Sequence, residues 1–277
     1  MSKKAIILAG GKGSRLGPYT TVLPKPLLPI GDRAILDVVV HQLRSHGFTD
    51  LTFAVGYLAH LIQAVFADGA AHGVSIDYHM EREPLGTAGA LATIEGLDDT
   101  FLAMNGDVLT TLDYRYLFEA HRNAGNLLTI ATHRRVVRTE YGVIHLDGQV
   151  GETAAVTGYE EKPDIPYVVS MGIYVAEPAV LDYVDAGSFL DVPELVLRLL
   201  ANGERVGSFL YNGYWLDIGR HEDYEKAIVE YEQLKQQLFG EYEKAAVSPA
   251  SGQTGNGVGG AGWSTGPLRA VGAPDTG

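Results

Sequence analysis

Short apolar runs and segments with helical periodicity alternate along the first half of the chain. Runs rich in β-branched residues predict buried strands at residues 4–9, 51–55, 75–79 and 101–105. Apolar residues at helical spacing predict helices at residues 34–47, 60–66, 87–96 and 113–123, with Thr87 and Asp113 as N-caps. Because strands alternate with helices, we expect a mostly parallel sheet covered on both faces.

The pattern changes after residue 123, where strands become more frequent. Strand patterns occupy residues 127–132, 141–146, 158–161, 168–176 and 206–211, and short helices are predicted at residues 178–184 and 192–201. The segment 214–219 and a charged helix from about residue 221 to residue 243 follow. We therefore predict one α/β domain over residues 1–246: a Rossmann-like, mostly parallel mixed sheet flanked by helices, with an antiparallel subregion in its second half.

Residues 247–277 form a tail of glycine, serine, alanine and proline with little charge. Such a composition buries too little apolar surface to offset the entropy lost on ordering. We predict that this tail is disordered and dispensable for activity.

Composition narrows the classes of protein to which the chain can belong. Cysteine is absent, which excludes disulfides and thiolate zinc sites and suits a reducing compartment. No stretch approaches the roughly 20 apolar residues of a membrane span, and the first apolar run is too short for a signal peptide. The net charge of −13 disfavours nucleic acids and anionic membranes as partners. We expect a soluble, cytoplasmic protein.

The first 31 residues differ in charge from the rest, with five basic residues and no acidic one. Lys12, Arg15 and Lys25 lie within or after a glycine-rich loop that follows the first predicted strand. Glycines let backbone N–H groups approach a phosphate, and the cations add donors, so we expect a triphosphate here. The alternative is a glycine turn without a ligand. A dinucleotide fingerprint is broken by Leu16, and no Gly-Lys-Ser/Thr completes a Walker loop.

Two aspartates distant in sequence stand where functional carboxylates are often found. Asp107 follows the predicted strand 101–105, and Asp217 lies in the segment 214–219. Either aspartate alone is also consistent with a helix cap or a strand end. The nine histidines show no metal-ligand spacing, so we assign them structural and surface roles.

Several separated motifs together resemble the nucleotidyltransferases that make sugar nucleotides. They are spread over about residues 4–224 and comprise Gly10-Gly11-x-Gly13-x-Arg15-Leu16, Lys25-Pro26-Leu27, Glu83 to Ala90, Asp107, Glu161-Lys162-Pro163 and Trp215 to Gly219. The resemblance implies transfer of a nucleoside monophosphate from a nucleoside triphosphate to a sugar 1-phosphate, with Mg²⁺ as cofactor. Mannose 1-phosphate guanylyltransferase-like enzymes have the most similar motifs.

The resemblance also implies a role for each matched residue. The implied catalytic residues are Arg15, Lys25, Asp107, Lys162 and Asp217, of which Asp107 and Asp217 hold the metal. The implied nucleotide-binding residues are Leu8, Gly10, Gly11, Lys12, Gly13, Glu81, Gly86 and Thr87. The implied sugar phosphate ligands are Gly142, Glu161, Lys162 and Gly172, which makes the antiparallel subregion the sugar side.

Glu81 favours guanine as the base. Alignment on Pro84 and Gly86 places Glu81 where thymidylyl- and uridylyltransferases of the family commonly have glutamine. An ionised carboxylate only accepts hydrogen bonds, and guanine offers adjacent N1–H and N2–H donors. We therefore favour GTP, with dTTP, UTP, CTP and ATP as alternatives.

Other functions fit parts of the pattern. A regulatory subunit that binds sugar nucleotides without catalysis would keep the fold, but the full set of charged residues is present. A nicotinamide dehydrogenase is disfavoured by Leu16, and a glycosyltransferase would need Asp-x-Asp where the chain has Asn105-Gly106-Asp107. The sugar stays open among mannose, heptose, glucose and cyclitol phosphates. Aromatic residues of the last helix predict a packing face or a contact within a homo-oligomer.

Overall fold

The structure, a computed structural model, describes residues 3–81, 83–148, 153–185 and 187–239. Its strands are β1 (Lys3–Ala9), β2 (Pro29–Ile30), β3 (Arg33–Ala34), β4 (Phe48–Val55), β5 (Ser75–Met80), β6 (Phe101–Asn105), β7 (Val108–Thr110), β8 (Leu128–Arg138), β9 (Val143–Asp147), β10 (Ala155–Glu160), β11 (Asp164–Ala176), β12 (Val206–Tyr211) and β13 (Trp215–Asp217). Its helices are α1 (Ile35–Ser45), α2 (Ala59–Phe66), α3 (Gly86–Leu91), α4 (Tyr114–Ala124), α5 (Val192–Ala201) and α6 (His221–Phe239). The tail 247–277 and the predicted end of the last helix lie outside the described residues.

Seven strands form the central sheet, in the order β12-β8-β11-β6-β1-β4-β5. Neighbouring strands are parallel except at β11, which runs antiparallel to both β6 and β8. Strands β9 and β10 form a separate antiparallel pair between β8 and β11 in the chain. The predicted mostly parallel mixed sheet and its antiparallel subregion are both confirmed.

Helices cover both faces of this sheet, which explains why β1 is apolar at consecutive positions. Ile6 and Ile7 are fully buried and belong to different core clusters. The cluster of Ile7 contains side chains from α1 and α4, and the cluster of Ile6 contains side chains from α3 and α5. A strand that is buried on both faces has no polar position to alternate with. In the described part of the chain, no helix combines the length and apolarity needed to cross a membrane.

A third apolar cluster joins the loop after β1 to strand β13 and helix α6. Leu16, Leu216 and Ile218 are buried in it together with residues of α6. The short ladder between β7 and β13 runs through this cluster and pairs Asp217 with Val108. The cluster therefore fixes the basic loop relative to Asp217.

Helix α3 and strands β8 and β11 differ from their predicted bounds for local reasons. Helix α3 ends at Leu91, five residues early, because Thr93 donates its hydroxyl to the Ala90 carbonyl at 2.8 Å and tightens the last turn. Strands β8 and β11 are longer than predicted because they pair with each other out to Arg138 and Asp164, whose side chains form an ion pair at 3.0 Å. This extension passes the carboxyl end of β6, which pairs with β11 only from Ile173 onward.

Candidate active site

A cavity of about 770 Å³ opens at the carboxyl ends of β1, β4 and β6. Open parallel sheets place their ligands at this edge, and the volume lies in the range of small-molecule sites. The wall draws on six segments of the chain and consists of Leu8, Ala9, Gly10, Gly11, Lys12, Gly13, Arg15, Lys25, Pro26, Gly56, Tyr57, Glu81, Pro84, Gly86, Thr87, Ala90, Asn105, Asp107, Phe189 and Asp191. All eight predicted nucleotide-binding residues are among them.

A partly buried ion pair lies in the cavity wall between residues 82 positions apart in sequence. Lys25 begins a 3₁₀ turn, is only 8% exposed, and donates from Nζ to Oδ2 of Asp107. The other carboxylate oxygen of Asp107, Oδ1, is buried and accepts no hydrogen bond. A buried charged oxygen without a partner is costly, so this atom is suited to a ligand that supplies positive charge.

Asp217 lies beside this pair because the β7–β13 ladder brings the two aspartates together. The Ile218 amide donates to the Asp107 carbonyl at 3.2 Å. Asp217 is exposed, yet desolvation by the surrounding protein raises its pKa and the Asp107 carboxylate raises it further, while Lys25 and Arg15 oppose the shift. Two carboxylates and two cations therefore act on one another at this edge of the cavity.

The basic loop is held by contacts on both of its ends. Thr20 donates its hydroxyl to the Gly13 carbonyl at 2.9 Å, and the His221 ring contacts the Gly17 carbonyl at 2.8 Å. Buried Leu16 anchors the turn, and its neighbour Arg15 is exposed and reaches toward Gly219. The loop thus presents cations to the cavity from a fixed backbone.

Glu81 belongs to a different segment of the cavity wall and lies against the glycine loop. Its backbone continues the β4–β5 ladder by donating to the Val55 carbonyl at 2.9 Å. Its carboxylate lies against Gly10, so a Cβ at that position would require the flexible Glu81 side chain to move. Burial raises the pKa of Glu81, and hydrogen bonding from the Leu85 backbone partly opposes this shift.

The motif from Glu83 to Ala90 has a structural role that its sequence does not reveal. The Ala88 and Gly89 amides both donate to the Leu190 carbonyl at 2.9 Å, and the Leu190 amide donates to Leu85 at 2.8 Å. A Cβ on Gly86 would lie 2.6 Å from the Leu190 carbonyl oxygen, and one on Gly89 would lie 2.5 Å from that of Ser188. Because these two glycines have no side chain, the segment before α5 can pack closely against α3.

The prediction of Thr87 as an N-cap is wrong. Helix α3 begins one residue earlier, and the N-cap position is Leu85. Asp191 instead caps the helix from 104 positions away, since its Oδ1 accepts from the Thr87 amide at 3.0 Å and the Thr87 hydroxyl at 3.2 Å. The Thr87 hydroxyl in turn accepts from the Val192 amide at 2.9 Å. The predicted N-cap Asp113 is confirmed, accepting from the Arg115 amide at 2.9 Å.

None of the four predicted sugar-side residues is part of the cavity lining, although Gly172 lies next to a residue of its wall. Gly172, in a bulge of β11 with φ of 71°, lies against the Asn105 side chain of the cavity wall. Gly142 packs against the Tyr159 ring, whose hydroxyl donates to Glu161 at 2.7 Å. Lys162 is exposed and has φ of 45°. The roles of these residues stay predictions.

Nine residues of the cavity wall were not among the predicted site residues: Ala9, Pro26, Gly56, Tyr57, Pro84, Ala90, Asn105, Phe189 and Asp191. Asp191 before Val192-Pro193 is a recognisable helix start, but this local signal carries no information on the contact with Thr87. Among the residues that the structure describes, no group of three or more histidine, aspartate or glutamate side chains could hold a metal ion.

Comparison with known proteins places this geometry in a family context. The family model described as nucleotidyl transferase matches residues 4–234. The UTP–glucose-1-phosphate uridylyltransferase of Synechocystis sp. is 34% identical over 245 residues, covering 81% of this chain and 62% of the relative. The mannose-1-phosphate guanylyltransferase of Mycobacterium tuberculosis is 32% identical over 226 residues, covering 79% and 62%. The chain thus spans less than two thirds of these relatives' length.

Solved structures agree with this placement. A Bacillus anthracis protein provisionally assigned as a glucose-1-phosphate thymidylyltransferase, in complex with sucrose, has a TM-score of 0.66 and 26% identity, covering 82% of this chain and 94% of that one. HddC from Yersinia pseudotuberculosis has a TM-score of 0.62 and 26% identity, covering 83% and 99%. The shared fold extends over nearly all of both neighbours.

Proposed function

Because the chain belongs to the nucleotidyl transferase family, we propose that it transfers a nucleoside monophosphate from a nucleoside triphosphate to a sugar 1-phosphate and releases pyrophosphate. The observation that carries the proposal is the partly buried pair of Lys25 and Asp107, in the wall of a glycine-lined cavity with Asp217 beside it. The named activities of the curated relatives, on glucose 1-phosphate and mannose 1-phosphate, support a sugar 1-phosphate as acceptor.

In the proposed reaction, a phosphate oxygen of the sugar 1-phosphate attacks the α-phosphorus of the triphosphate in line. The bond to the β-phosphate oxygen breaks, and pyrophosphate leaves with the bonding electrons. No covalent intermediate on the protein is needed, so positioning and charge neutralisation supply the rate enhancement. Arg15 stabilises the pyrophosphate, Lys25 the α-phosphate and Lys162 the incoming phosphate.

Asp107 and Asp217 are the residues that would hold a Mg²⁺ ion. This ion takes oxygen ligands and is commonly bound by one or two carboxylates together with substrate phosphates. The buried, unpartnered Oδ1 of Asp107 and the mutual repulsion of the two carboxylates fit such a cation. When bound, Mg²⁺ would offset the negative charge of the phosphates in the transition state.

We assign the base end of the cavity to guanine. Glu81 lines this end, and its ionised carboxylate can accept from guanine N1–H and N2–H together. Thymine and uracil would turn a carbonyl toward the same carboxylate and leave it without its full set of partners. The several guanylyltransferases among the relatives are consistent with this choice, although a uridylyltransferase is also among them.

The sugar 1-phosphate is assigned to the side of Gly172, where β11 meets the cavity wall at Asn105. Gly142, Glu161 and Lys162 would approach it from the antiparallel extension of β8 and β11. Glu161 accepts sugar hydroxyls in this assignment, and Lys162 contacts the phosphate.

Pyrophosphate release tests the reaction and the base together. The purified protein is given each of five nucleoside triphosphates with mannose, glucose, heptose or cyclitol 1-phosphates and Mg²⁺. We expect release with at least one pair and the highest rate with GTP. Glu81→Gln should lose the preference for GTP, whereas Glu83→Gln, exposed and outside the cavity wall, should keep it.

Each outcome of this panel addresses a different part of the proposal. Absence of release with every pair, from protein that still binds nucleotide, contradicts the transferase and favours a regulatory binding subunit. A wild-type preference for dTTP or UTP contradicts only the guanine assignment.

A further inference from the structure

Phe189 is an aromatic side chain exposed at the mouth of the cavity. It is 62% exposed and lines the same cavity as Pro84, Gly86 and Thr87. Its neighbour Leu190 is fully buried in the core, so the chain turns the two apolar residues in opposite directions. Exposed aromatic rings that are fixed at a pocket are typical anchors for ligands.

The backbone around Phe189 is held on both sides. The Leu190 amide and carbonyl make three hydrogen bonds to residues 85, 88 and 89, at 2.8, 2.9 and 2.9 Å. On the preceding side, the Ser188 amide and hydroxyl both donate to the Asp185 carbonyl, at 3.0 and 2.7 Å. The backbone that carries the ring is therefore fixed beside the cavity before any ligand binds, which lowers the entropy cost of contact.

Charge decides which part of a nucleotide meets this ring. In the described residues, the cationic side chains of the cavity wall are Lys12, Arg15 and Lys25, all on the glycine-loop side. Phe189 instead lies two positions before Asp191. The Asp191 carboxylate caps helix α3, the helix that follows Glu81 in the chain. A triphosphate is attracted to the cations and repelled by the carboxylates. The base, which is uncharged and has an apolar face, is the part suited to the Phe189 end.

We propose that Phe189 stacks on the face of the nucleobase and supplies affinity that does not depend on which base is bound. Every base has such a face, whereas only the hydrogen-bonding edge differs between bases. Glu81 would then select the base and Phe189 would hold it. This inference rests on the proposed nucleotide-binding function.

The test compares ligands with and without a base, by calorimetric binding and by steady-state kinetics. Phe189→Ala should weaken GTP binding and raise its KM about tenfold, with kcat nearly unchanged, and should weaken UTP binding by a similar factor. Phe189→Tyr should restore binding because it keeps the ring. Binding of inorganic tripolyphosphate should be the same in all variants, since it has no base. Tyr116→Ala, an exposed aromatic change on α4, is the matched control.

The outcomes separate this inference from the function on which it rests. Equal GTP affinity in wild type and Phe189→Ala would overturn the stacking role. Equal weakening of GTP and tripolyphosphate would also overturn it, because the loss would then come from the loop and not from the ring. A wild type that binds GTP but never releases pyrophosphate would contradict the proposed reaction. The comparison of GTP and tripolyphosphate binding among the variants could still be interpreted. A wild type that binds neither ligand would contradict both.

Discussion

The nucleotide side and the sugar side of the proposed site differ in how much protein surrounds their side chains. On the nucleotide side, Lys25 is 8% exposed and bonds to Asp107 across the cavity wall. On the sugar side, Tyr141 is 81% exposed and Tyr159 is 62% exposed, and Lys162 is exposed as well. The ion pair on the nucleotide side is largely enclosed by protein, whereas these side chains on the sugar side are exposed to solvent.

The difference follows from the strands that carry each side. The nucleotide side stands on the ends of parallel strands that are covered by helices on both faces, so its backbone is packed against the core even where side chains such as Arg15 and Phe189 are exposed. The sugar side stands on β9, β10 and the part of β8 and β11 that passes the end of the sheet. Two-stranded ribbons have little burial of their own to fix them. We therefore expect substitutions to affect stability mainly on the nucleotide side.

The largest expected effect is on turnover, from removing either carboxylate beside Lys25. Asp107→Asn and Asp217→Asn should each lower kcat by at least about 10²-fold, since each removes charge that would hold the metal at the reacting phosphates. The measurement is pyrophosphate release over a range of Mg²⁺ concentrations, with a thermal melt to confirm folding. Asp99→Asn, in an exposed loop before β6, is the control and should retain activity. Full activity of either site variant, or activity in EDTA, would remove the metal assignment.

Alanine substitutions at two glycines of the nucleotide side should have different effects. One should lower stability, and the other should weaken ligand binding. Replacing glycine by alanine inside a helix normally stabilises by about 1 kcal/mol. In Gly89→Ala, however, the new Cβ would lie 2.5 Å from the Ser188 carbonyl oxygen, a backbone atom that cannot move alone. We expect a net loss of about 1–3 kcal/mol in the free energy of unfolding, typical of overpacking.

Gly11→Ala is the matched change, because nothing lies within 4 Å of a Cβ built there. Its free energy of unfolding should stay near that of wild type, while its KM for the triphosphate rises because the methyl group blocks the approach of phosphate. Urea unfolding and nucleotide kinetics on both variants check this. A stable Gly89→Ala would show that the segment before α5 is not tightly packed.

On the sugar side, Lys162→Gln should affect binding of one substrate without affecting the fold. We expect about a tenfold rise in KM for the sugar 1-phosphate, the size of one lost charge-assisted contact, with the KM for the triphosphate unchanged. The melting temperature should not change, because the side chain is exposed. A change in the triphosphate KM instead would place Lys162 with the nucleotide and break the division between the two sides.

The same contrast determines what could be predicted from the sequence. The strand from Lys3 to Ala9 and the glycine loop after it carry local signals, an apolar run and a cluster of glycines and cations, and both were located correctly. The contact of Asp191 with Thr87 spans 104 positions, and neither residue signals the other. The N-cap prediction therefore failed at the place where a distant side chain supplies the cap. The short strand β7 was missed because three residues hold too little periodicity to detect.

The smallest expected effect concerns a buried histidine in the scaffold. His121 is 0% exposed and contacts the Thr129 hydroxyl at 2.8 Å and the Glu177 carboxylate at 3.1 Å. Burial lowers the pKa of His121, and Glu177 only partly opposes this shift. The unfolded chain therefore takes up a proton more readily than the folded protein. Its contribution to stability is complete above the ordinary histidine pKa of 6.5 and is lost as the pH falls through the lowered value.

The free energy of unfolding of wild type should consequently decrease more between pH 7.5 and pH 5.5 than that of His121→Gln, by less than about 1.4 kcal/mol per pH unit, the limit for one proton. Urea unfolding of wild type and His121→Gln across this pH range measures the difference directly. Parallel curves for wild type and His121→Gln would mean that folding does not lower the pKa of His121. The surroundings of His121 would then be more accessible to water than its burial indicates.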